Sequence, residues 1–313
     1  MNIKIIFVLL PQTNLLDLGG ASQVFHEAKD HGLACDIEFC SYSKNIQSSA
    51  GLTIGTVKHY ADIIVSPGDY IFIMSADYKY VFSSAFKVEK SFLTWLENNF
   101  NAGVHVCAIC NGVFLLAMTG LLDNRSCTTH WNRTGELQKR LPHARVLENI
   151  LYVEDDRIIT SAGASSGIDV ALHILSKIRG DYFTYKVSRD LVVYNRRNGN
   201  DIQRSVHLEY RNHVHLGVHR AQDWLNENLQ AKCNLEELAE IAHMSLRNFT
   251  RVFKKETGLT VNEYILELRL SRIRELIHKP DITRYELAKA CGLKSERQVS
   301  RLISLLTHAS AVA

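Results

Sequence analysis

The chain has 313 residues, of which 46% are apolar and 22% are charged, and its formal net charge is +3. This composition excludes a disordered or fibrous chain, and the length is sufficient for two domains that each bury a core. Seven cysteines, an odd number, indicate reduced thiols rather than a disulfide framework. The apolar run near the N-terminus is too short to span a bilayer and no small-residue cleavage site follows it. We therefore expect a cytoplasmic protein that does not associate with membranes.

Short β-branched runs alternate with amphipathic stretches through the first two thirds of the sequence. We predict strands over 3–10, 36–41, 70–74, 104–109, 151–153 and 158–160, and helices over 17–31, 84–100, 113–119 and 168–177. Strands that alternate with helices form parallel sheets covered on both faces, so residues 1–194 are predicted to be an α/β domain. The predicted fold class is a flavodoxin-like three-layer sandwich with a mostly parallel sheet.

Residues 104–131, VHVCAICNGVFLLAMTGLLDNRSCTTHW, carry the main chemical signal of this domain. A predicted strand runs into Cys110-Asn111-Gly112 and then directly into a helix, which is typical of a nucleophile elbow. A helix N-terminus at such a turn favours the thiolate form of a cysteine. Cys107 lies inside the predicted strand, so we expect it to pack in the sheet rather than act as a redox partner of Cys110.

Together with TSAGASSGIDVALHIL (residues 160–175), these residues resemble the PfpI-like, class I glutamine amidotransferase-like superfamily over about residues 3–194. The resemblance implies that Cys110 is the elbow cysteine and that Asp17, in LLDLGGASQVF, is the acidic residue that reaches toward it. It also implies that His130, in CTTHW, lies near the same pocket. The implied ligand pocket contains Asp17, Cys110, Asn111, Gly112 and His130.

Two departures from the superfamily pattern bear on catalysis. Members with protease activity have a histidine directly after the cysteine, where this sequence has Asn111, so proton transfer from the thiol lacks its usual base. The loop at 75–80, SADYKY, also lacks the Gly-Gly pair that commonly lines an oxyanion site. We therefore interpret Cys110 as a ligand-pocket residue without turnover. The alternatives are a redox-sensitive thiol and a cysteine-dependent enzyme using His130, such as an amidase, hydratase or glyoxalase-like activity.

Residues 195–212 are polar and rich in arginine and are predicted to be a linker. No strand-like run follows and helical periodicity dominates, so residues 213–313 are predicted to form an all-α domain. This part carries 15 Lys and Arg against 12 Asp and Glu, whereas residues 1–212 carry 21 of each. The positive excess fits a polyanionic partner, although the solvated surface of ordinary helices would give the same balance.

A helix-turn-helix pattern occupies residues 234–255, NLEELAEIAHMSLRNFTRVFKK. After a first helix and a short break, Ser245 is placed to cap a second helix whose Phe249, Val252 and Phe253 point inward. The outward residues, suited to base edges in the major groove, are Arg247, Asn248, Thr250, Arg251 and Lys254. A plain helical hairpin is the alternative.

The same pattern recurs about 48 positions later in residues 282–302, ITRYELAKACGLKSERQVSRL. The outward candidates on its second helix are Arg297, Gln298 and Arg301. A helical stretch over 261–277 joins the two motifs. The two recognition helices are therefore predicted to enter successive major-groove segments on one face of DNA, so that the C-terminal domain is a double helix-turn-helix domain.

Residues 235–302 resemble the DNA-binding domain of the AraC/XylS family, particularly SLRNFTRVFKKETGLTVNEYILELRLSRIRELI. The residues that fall where the family signature expects them are Gly258, Tyr264, Arg269, Leu270 and Arg272. The C-terminal end departs from the family's aromatic-rich helix and Gly-Ser-Pro ending. The second motif is therefore expected to be unusual or truncated, and its contact with DNA is left open.

Four histidines near the start of this domain raise the question of a metal site: His207, His213, His215 and His219. His215 and His219 have the i, i+4 spacing that can chelate zinc on a helix. No nearby cysteine or acidic cluster completes a ligand set. We therefore expect surface histidines, no bound metal and no cofactor.

The two resemblances together identify the chain as a member of the GlxA-type regulators, in which a PfpI-like domain precedes an AraC-type domain. They imply a sequence-specific DNA-binding transcriptional regulator, rather than an enzyme, that is controlled by a small metabolite bound in the PfpI-like domain. The implied partners are double-stranded DNA, an unidentified small-molecule effector and a second copy of the chain in a homodimer. RNA polymerase is a further candidate partner.

Overall fold

The computed structural model describes residues 2–55, 57–163, 165–193, 197–201, 203, 209–231, 234–277 and 282–312, with the backbone only for 307–312. The chain divides into two compact units, Met1–Gln203 and Arg204–Ala313. The division falls inside the predicted linker 195–212. Within the described ranges, no helix is both long and apolar enough to cross a membrane.

Most strands of the first unit form one central sheet. The described strands are β1 (Ile3–Val8), β2 (Cys35–Ser41), β3 (Ile46–Gln47), β4 (Thr53–Ile54), β5 (Lys58–His59), β6 (Tyr70–Ile73), β7 (His105–Ile109), β8 (Ser126–Cys127), β9 (Arg145–Val146), β10 (Tyr152–Asp155) and β11 (Ile158–Ser161). Seven of them are ordered β10-β11-β7-β6-β1-β2-β5, and every neighbouring pair is parallel except β10 with β11. The pairs β3–β4 and β8–β9 are separate.

Helices cover both faces of this sheet. They are α1 (Leu15–Asp30), α2 (Tyr78–Val81), α3 (Lys90–Asn101), α4 (Val113–Leu116), α5 (Thr134–Arg140), α6 (Ser166–Arg179) and α7 (Asp181–Asp190). One core packs α1, α6 and α7 against side chains such as Phe7 and Phe72, and the other packs α3, α4 and α5 against side chains such as Ile6 and Ile71. Alternate residues of β1 and β6 thus enter different cores, as a doubly covered sheet requires. The predicted three-layer α/β fold is confirmed.

Two of the four predicted helices differ from the structure by more than two residues at one end. The helix predicted over 84–100 begins only at Lys90, because Phe86 and Val88 pack on the core from the non-helical stretch before it. The helix predicted over 113–119 is α4 followed by the single 3-10 turn Ala117–Thr119. Gly120 ends this turn with φ of 73°, a left-handed conformation that glycine adopts without strain.

Residues 197–201 and 203, which the sequence prediction placed in the linker, pack on the first unit. The Leu151 N–H donates to Gly199 O and to Asp201 O, both at 2.9 Å. Arg197 pairs with Asp169, a carboxylate that is only 3% exposed. The first unit therefore extends to Gln203 rather than ending at residue 194, because these bonds hold the segment on its surface.

The described part of the second unit contains helices and no strand. They are α8 (Leu216–Glu227), α9 (Leu235–Ile241), α10 (Leu246–Thr257), α11 (Val261–Leu276), α12 (Arg284–Ala290) and α13 (Glu296–Val312). Phe249, Phe253 and Tyr264 are completely buried in the core of its first half. Ile273 and Val299 are completely buried in two smaller clusters of its second half. The predicted all-helical fold of this part is confirmed.

Candidate functional sites

The predicted pocket residues of the first unit lie at the carboxyl edge of the sheet. Asp17 is in the first turn of α1, Cys110 directly follows β7, and Gly163 lies two residues after β11. In the sheet, β1 lies between β2, which follows it in the chain, and β6, which comes later. The strand order therefore reverses between β1 and β6. This edge is therefore a topological switch point, the position where ligands bind in open α/β sheets.

The backbone at Cys110 has the elbow geometry that the sequence predicts. Its φ is 54°, a left-handed conformation that is strained for a residue with a Cβ. Cys110 begins the 3-10 turn Cys110–Gly112, which continues into α4. Gly112 lets this turn lie against β6, since a Cβ there would be 2.5 Å from Ile73 O. The turn therefore holds the thiol at the end of the sheet.

A buried carboxylate and a close glycine contact complete this edge. Asp17 is completely buried and accepts a hydrogen bond from Ser75 Oγ. Gly163 has φ of 97°, and a Cβ on it would lie 2.3 Å from Cys110 Sγ. The loop after β11 thus reaches the thiol directly, which sequence reasoning missed. The glycine in the TSAGASSG run was the available signal.

Asn111 is used to join two loops. Its Oδ1 accepts the Ala76 N–H at 2.9 Å and its Nδ2 donates to Ala76 O at 2.6 Å, and it is 6% exposed. The amide therefore satisfies both backbone polar groups of a residue in the loop after β6. A catalytic histidine at this position would be unable to make the same pair of bonds, because neutral imidazole carries one donor and one acceptor on opposite sides of its ring.

His130 and its neighbour Thr129 lie in the segment that follows β8. The Thr129 hydroxyl is buried and donates to Cys110 O at 2.9 Å. His130 Nδ1 lies 2.6 Å from Asn132 Oδ1, and its ring is tilted against that of Trp131 with the ring centroids 5.4 Å apart. Thr129, rather than the predicted His130, is the residue of this segment that the structure joins to the elbow backbone.

Cys110 is half-buried, whereas the other five cysteines that the structure describes are buried. Burial raises the pKa of Cys40 and that of Cys127 to about 12, and it raises the pKa of Cys107 well above its ordinary value. Cys107 packs inside β7, as predicted. Of the described thiols, Cys110 is therefore the one placed to meet a small molecule from solvent.

A cavity of about 560 Å³ opens elsewhere on the first unit, between α1, β2 and the hairpin region near β4. Its lining is mostly apolar and consists of Leu9, Leu15, Leu18, Ile37, Glu38, Phe39, Leu52, Ile54, Gly55, Val57 and Lys58. None of the five predicted pocket residues lines this cavity. Sequence reasoning had no signal for it, because its walls come from separate parts of the chain.

The first helix-turn-helix motif is formed by α9, a short turn and α10. A capping box starts α9: Asn234 Oδ1 accepts the Glu237 N–H at 2.8 Å, and the Glu237 carboxylate accepts the Asn234 N–H at 3.2 Å. His243 turns the chain with φ of 57°. The side chains that α10 buries are the predicted Phe249, Val252 and Phe253, together with Thr257.

The opposite face of α10 carries the predicted DNA-contacting residues. The exposed ones are Arg247, Asn248, Arg251 and Lys254. Arg251 Nη2 donates to Asn248 Oδ1 at 2.8 Å, so these two side chains are held together on the exposed face. Thr250 is half-buried, and its hydroxyl donates to Leu246 O at 3.1 Å. This hydroxyl is therefore engaged within the helix.

The second motif repeats the first. Thr283 and Glu286 form the capping box of α12, 49 residues after the Asn234 box rather than the predicted 48. The turn contains Gly292, with φ of 61°, and α13 buries Val299 and Leu302. The predicted outward residues Arg297, Gln298 and Arg301 are exposed. Gln298 Oε1 accepts the Lys294 N–H at 2.7 Å, so part of this side chain stabilises the turn.

One arginine supports each motif at equivalent positions, 49 residues apart. Arg220 of α8 donates to Ile241 O and Ala242 O, both at 3.2 Å. Arg269 of α11 donates to Cys291 O at 3.0 Å and to Gly292 O at 3.3 Å. Each cation thus satisfies carbonyls at the end of the first helix of a motif. Sequence reasoning assigned Arg269 to the family signature and missed Arg220, although the 49-residue spacing relates the two.

The three described histidines of this group lie at or near the start of α8. The His215 side chain accepts the Val218 N–H as the N-cap. The His213 and His219 rings stack with centroids 4.4 Å apart, and loss of water contact lowers the pKa of His213. His207 lies outside the described residues. Among the residues that are described, no group of three or more His, Cys, Asp or Glu could hold a metal ion.

Comparisons with known proteins match both units. The sequence model of the DJ-1/PfpI family matches residues 3–177, and that of a helix-turn-helix domain matches residues 238–311. The HTH-type transcriptional regulator GbdR of Pseudomonas aeruginosa is 29% identical over 220 residues, which are 68% of this chain and 58% of that protein. The HTH-type transcriptional regulator GlxA of Rhizobium meliloti is 25% identical over 213 residues, 68% of this chain and 65% of that protein. The chain thus spans less than two thirds of the length of either relative.

Among solved structures, an AraC family transcriptional regulator from Pseudomonas putida has the same fold as the first unit. The TM-score is 0.52 at 17% sequence identity, over 60% of this chain and 99% of that chain. The second helix-turn-helix motif has both of its helices, and the domain match extends to residue 311. Both helices of this motif therefore form, and its contact with DNA stays a prediction. The chain belongs to the DJ-1/PfpI family and carries a helix-turn-helix domain of the AraC type in its C-terminal part.

Proposed function

We propose that the protein is a sequence-specific DNA-binding transcriptional regulator. The observation that carries this proposal is the 49-residue repeat of two helix-turn-helix motifs, each with arginines on the exposed face of its second helix. A recognition helix reads the major groove with such residues, since guanidinium groups pair with guanine edges and with phosphates. The names of GbdR and GlxA, both HTH-type transcriptional regulators, support the same function. A cytoplasmic location follows from this function.

A small metabolite bound at the carboxyl edge of the first unit is proposed to control the regulator. The elbow turn at Cys110, the buried Asp17 and the nearby Thr129 hydroxyl place polar groups together at the switch point of the sheet. Such edges bind ligands because loops from several strands converge there. The proposed pocket residues remain Asp17, Cys110, Asn111, Gly112 and His130.

Turnover by Cys110 is not part of the proposal. The amide of Asn111 occupies the place of the histidine that activates the thiol in protease-type members, and it is bonded to the Ala76 backbone. An amide side chain cannot take up the proton of a thiol as an imidazole does, so Asn111 cannot replace that histidine as the base. A comparison of amide and small-carbonyl turnover by the wild type and by Cys110→Ala tests this. A Cys110-dependent rate would support the enzyme instead.

A homodimer is the proposed assembly. Two copies present two DNA-binding domains to repeated half-sites, which raises affinity through effective concentration. RNA polymerase is proposed as a further partner once the regulator is bound. Analytical ultracentrifugation of the full chain, alone and with its DNA, measures the stoichiometry. One copy per DNA site would contradict the dimer and leave DNA binding itself intact.

The test of the proposed function is binding of the full chain to its own upstream intergenic DNA. The assay uses labelled fragment at about 50 mM and about 200 mM salt with scrambled competitor. Specific binding that weakens as salt rises is expected, because phosphate contacts release counterions. Binding no tighter than to scrambled DNA, with folded protein, would contradict the proposal.

Redox sensing through Cys110 is a second candidate, and one observation favours it. Of the six described cysteines, Cys110 is the one that is half-buried rather than buried. Partly exposed thiols are the ones that peroxide oxidises to sulfenic and sulfinic acids. Peptide mass spectrometry after mild peroxide, with Cys110→Ser as the control, would show an oxygen adduct at Cys110. An unmodified thiol would remove this candidate.

A further inference from the structure

Residues 197–201 and 203, here called the connecting segment, lie immediately before the second unit. Its first residue, Arg197, reaches the loop that follows β11. Arg197 Nη2 lies 2.5 Å from Asp169 Oδ2 and 2.7 Å from Ser165 Oγ. Because Asp169 is 3% exposed, breaking this pair would leave a buried carboxylate without its cation. The contact therefore ties the segment to α6 through Asp169 and to the loop before α6 through Ser165.

The same loop touches Cys110 on its other side. Gly163, two residues before Ser165, lies so close that an added Cβ would be 2.2 Å from Cys110 Cβ. The Gly163 N–H also donates to Ser166 Oγ at 2.6 Å, which holds the turn closed. Gly163 and Ser165 of this loop thus contact Cys110 and Arg197 respectively.

The end of the connecting segment is bonded to the segment after β8, which contacts the Cys110 backbone. Gln203 Nε2 donates to Thr129 O and to Ile150 O, both at 2.8 Å, and its Oε1 accepts the Trp131 N–H at 2.7 Å. Thr129 in turn donates its hydroxyl to Cys110 O. One glutamine side chain therefore satisfies three backbone groups of two loops and connects them to the elbow.

The middle of the segment pairs with the start of β10. Gly199 O accepts the Leu151 N–H at 2.9 Å and the Tyr152 N–H at 3.3 Å. A Cβ on Gly199 would lie 2.7 Å from Tyr152 O, so the two backbones are in direct contact. The Leu151 O accepts the Ala162 N–H at 2.8 Å, which continues the contact to the residue before Gly163.

We propose that the connecting segment transmits the state of the Cys110 site to the DNA-binding unit, with Arg197 and Gln203 as its positioning residues. The proposal rests on the proposed function, because it takes the Cys110 site to be the effector pocket. An occupant that shifts the loop after β11 or the segment after β8 must lengthen these directional bonds. The bound and released segment are then two states whose balance the site biases, and this coupling is reciprocal.

A single substitution can displace the loop after β11, as a bound ligand would, without changing any residue of the connecting segment. Gly163→Ala places a methyl group against Cys110 and forces the loop away from the thiol. The matched control is Gly68→Ala. Gly68 has φ of 88°, close to the 97° of Gly163, but no atom lies within 4 Å of its added Cβ. Both variants therefore carry similar backbone strain, and one of them also moves the loop.

Hydrogen exchange of the full chain measures whether the segment responds. We expect Gly163→Ala to speed exchange of the Trp131, Leu151 and 197–203 amides by about fivefold or more, the effect of losing one hydrogen bond. Gly68→Ala should leave these amides at the wild-type rate. Folded protein with Gly163→Ala exchange equal to wild type at these amides would overturn the proposal.

The affinity for DNA then tests whether the connecting segment transmits the change to the DNA-binding unit. Gly163→Ala is expected to change the Kd for the upstream DNA fragment several-fold in the wild-type background and to have no further effect in Gln203→Ala. The matched background is Gln138→Ala, since Gln138 also bonds three backbone groups, donating to Leu141 O and Ala144 O and accepting from Val146 N. There the Gly163→Ala effect should persist. Equal effects in the Gln203→Ala and wild-type backgrounds, or no effect in either, would overturn transmission.

The two readouts separate this proposal from the proposed function. The exchange experiment needs neither an effector nor DNA, so it decides the coupling even if the chain binds no specific DNA. Conversely, specific DNA binding that is indifferent to Gly163→Ala would leave the regulator standing and remove the connecting segment as its transmitter. Circular dichroism and thermal melting of each variant establish that the compared proteins are folded.

Discussion

Asn111 follows Cys110 directly, and its side chain forms hydrogen bonds with the backbone instead of acting as a base for the thiol. The amide donates and accepts with Ala76, a residue on a different loop, from an almost completely buried position. A polar side chain in such a place contributes by satisfying groups that water does not reach. Its role is therefore to shape the carboxyl edge of the sheet around the thiol.

Asn111→Ala is expected to destabilise the first unit by about 1–3 kcal/mol, because it leaves the buried Ala76 N–H and C=O without partners. Urea unfolding followed by far-UV circular dichroism measures the change. The matched control is Asn45→Ala, which truncates the same side chain at an exposed position and should cost about 0.5 kcal/mol or less. Equal midpoints for the two variants would contradict the joining role of Asn111.

Arg247→Ala and Arg251→Ala are expected to weaken specific DNA binding by about 1–3 kcal/mol each, because both side chains are exposed on the face of α10 that we propose contacts DNA. Electrophoretic mobility shift with the upstream fragment measures the loss. Arg189→Ala removes the same charge from α7 of the first unit, where the side chain is 66% exposed, and should leave affinity unchanged. Native affinity in both α10 variants would show that α10 is not the recognition helix.

Among the elements, the two helix-turn-helix motifs show how far local sequence determines structure. Asn234-Leu-Glu-Glu237 and Thr283-Arg-Tyr-Glu286 both have the spacing of a capping box, and both form one. The turns differ in chemistry: His243 and Gly292 each have positive φ, and glycine adopts it without strain. Capping is local, so such boundaries are predictable from neighbouring residues alone.

Arg220→Met and Arg269→Met are expected to damage different halves of the DNA site. Each variant keeps a long apolar stem but loses the hydrogen bonds to carbonyls at the end of α9 or of α12, which should loosen one motif. Base-by-base substitution of the bound DNA should show about tenfold weaker discrimination at the base pairs read by the first motif for Arg220→Met and at those read by the second motif for Arg269→Met. Uniform weakening across the site in both variants would contradict this assignment.

The late start of α3 shows where element prediction fails. Apolar periodicity suggested a helix from residue 84, but Phe86 and Val88 reach the core from a non-helical stretch. Apolar side chains satisfy either arrangement locally, and the position of the sheet surface decides between them. The same limit explains the 3-10 turn after α4, whose extent depends on the glycine that ends it.

At the scale of the whole molecule, each unit has a core of its own. We therefore expect Phe72→Ala to lower the free energy of unfolding of the first unit only, by about 3–5 kcal/mol. Phe253→Ala should lower that of the second unit only, by a similar amount. Both side chains are completely buried, so the pair is matched in chemistry and burial. Hydrogen exchange under increasing urea assigns each transition to its unit. A single transition that both variants shift equally would contradict separate cores.

Much of this architecture was predictable from the sequence. Buried β-branched runs, the Cys110 elbow and the repeated helix-turn-helix pattern are local features, so their residue types and spacing determine the fold class, the exposed face of α10 and the position of the thiol. The family matches agree with both halves of that prediction.

Other features depended on the tertiary structure, because they join residues that are far apart in the chain. The bonds of Asn111 to Ala76, of Gln203 to Thr129 and of Arg197 to Asp169 carry no local sequence signal. Each one forms because the fold brings together buried polar groups that need a partner, and those needs exist only after the sheet has assembled. The sequence by itself therefore determined the fold class, the turn that carries Cys110 and the side chains exposed on α10. Only the packed structure decided which loops hold Cys110 and how the chain leaves the first unit.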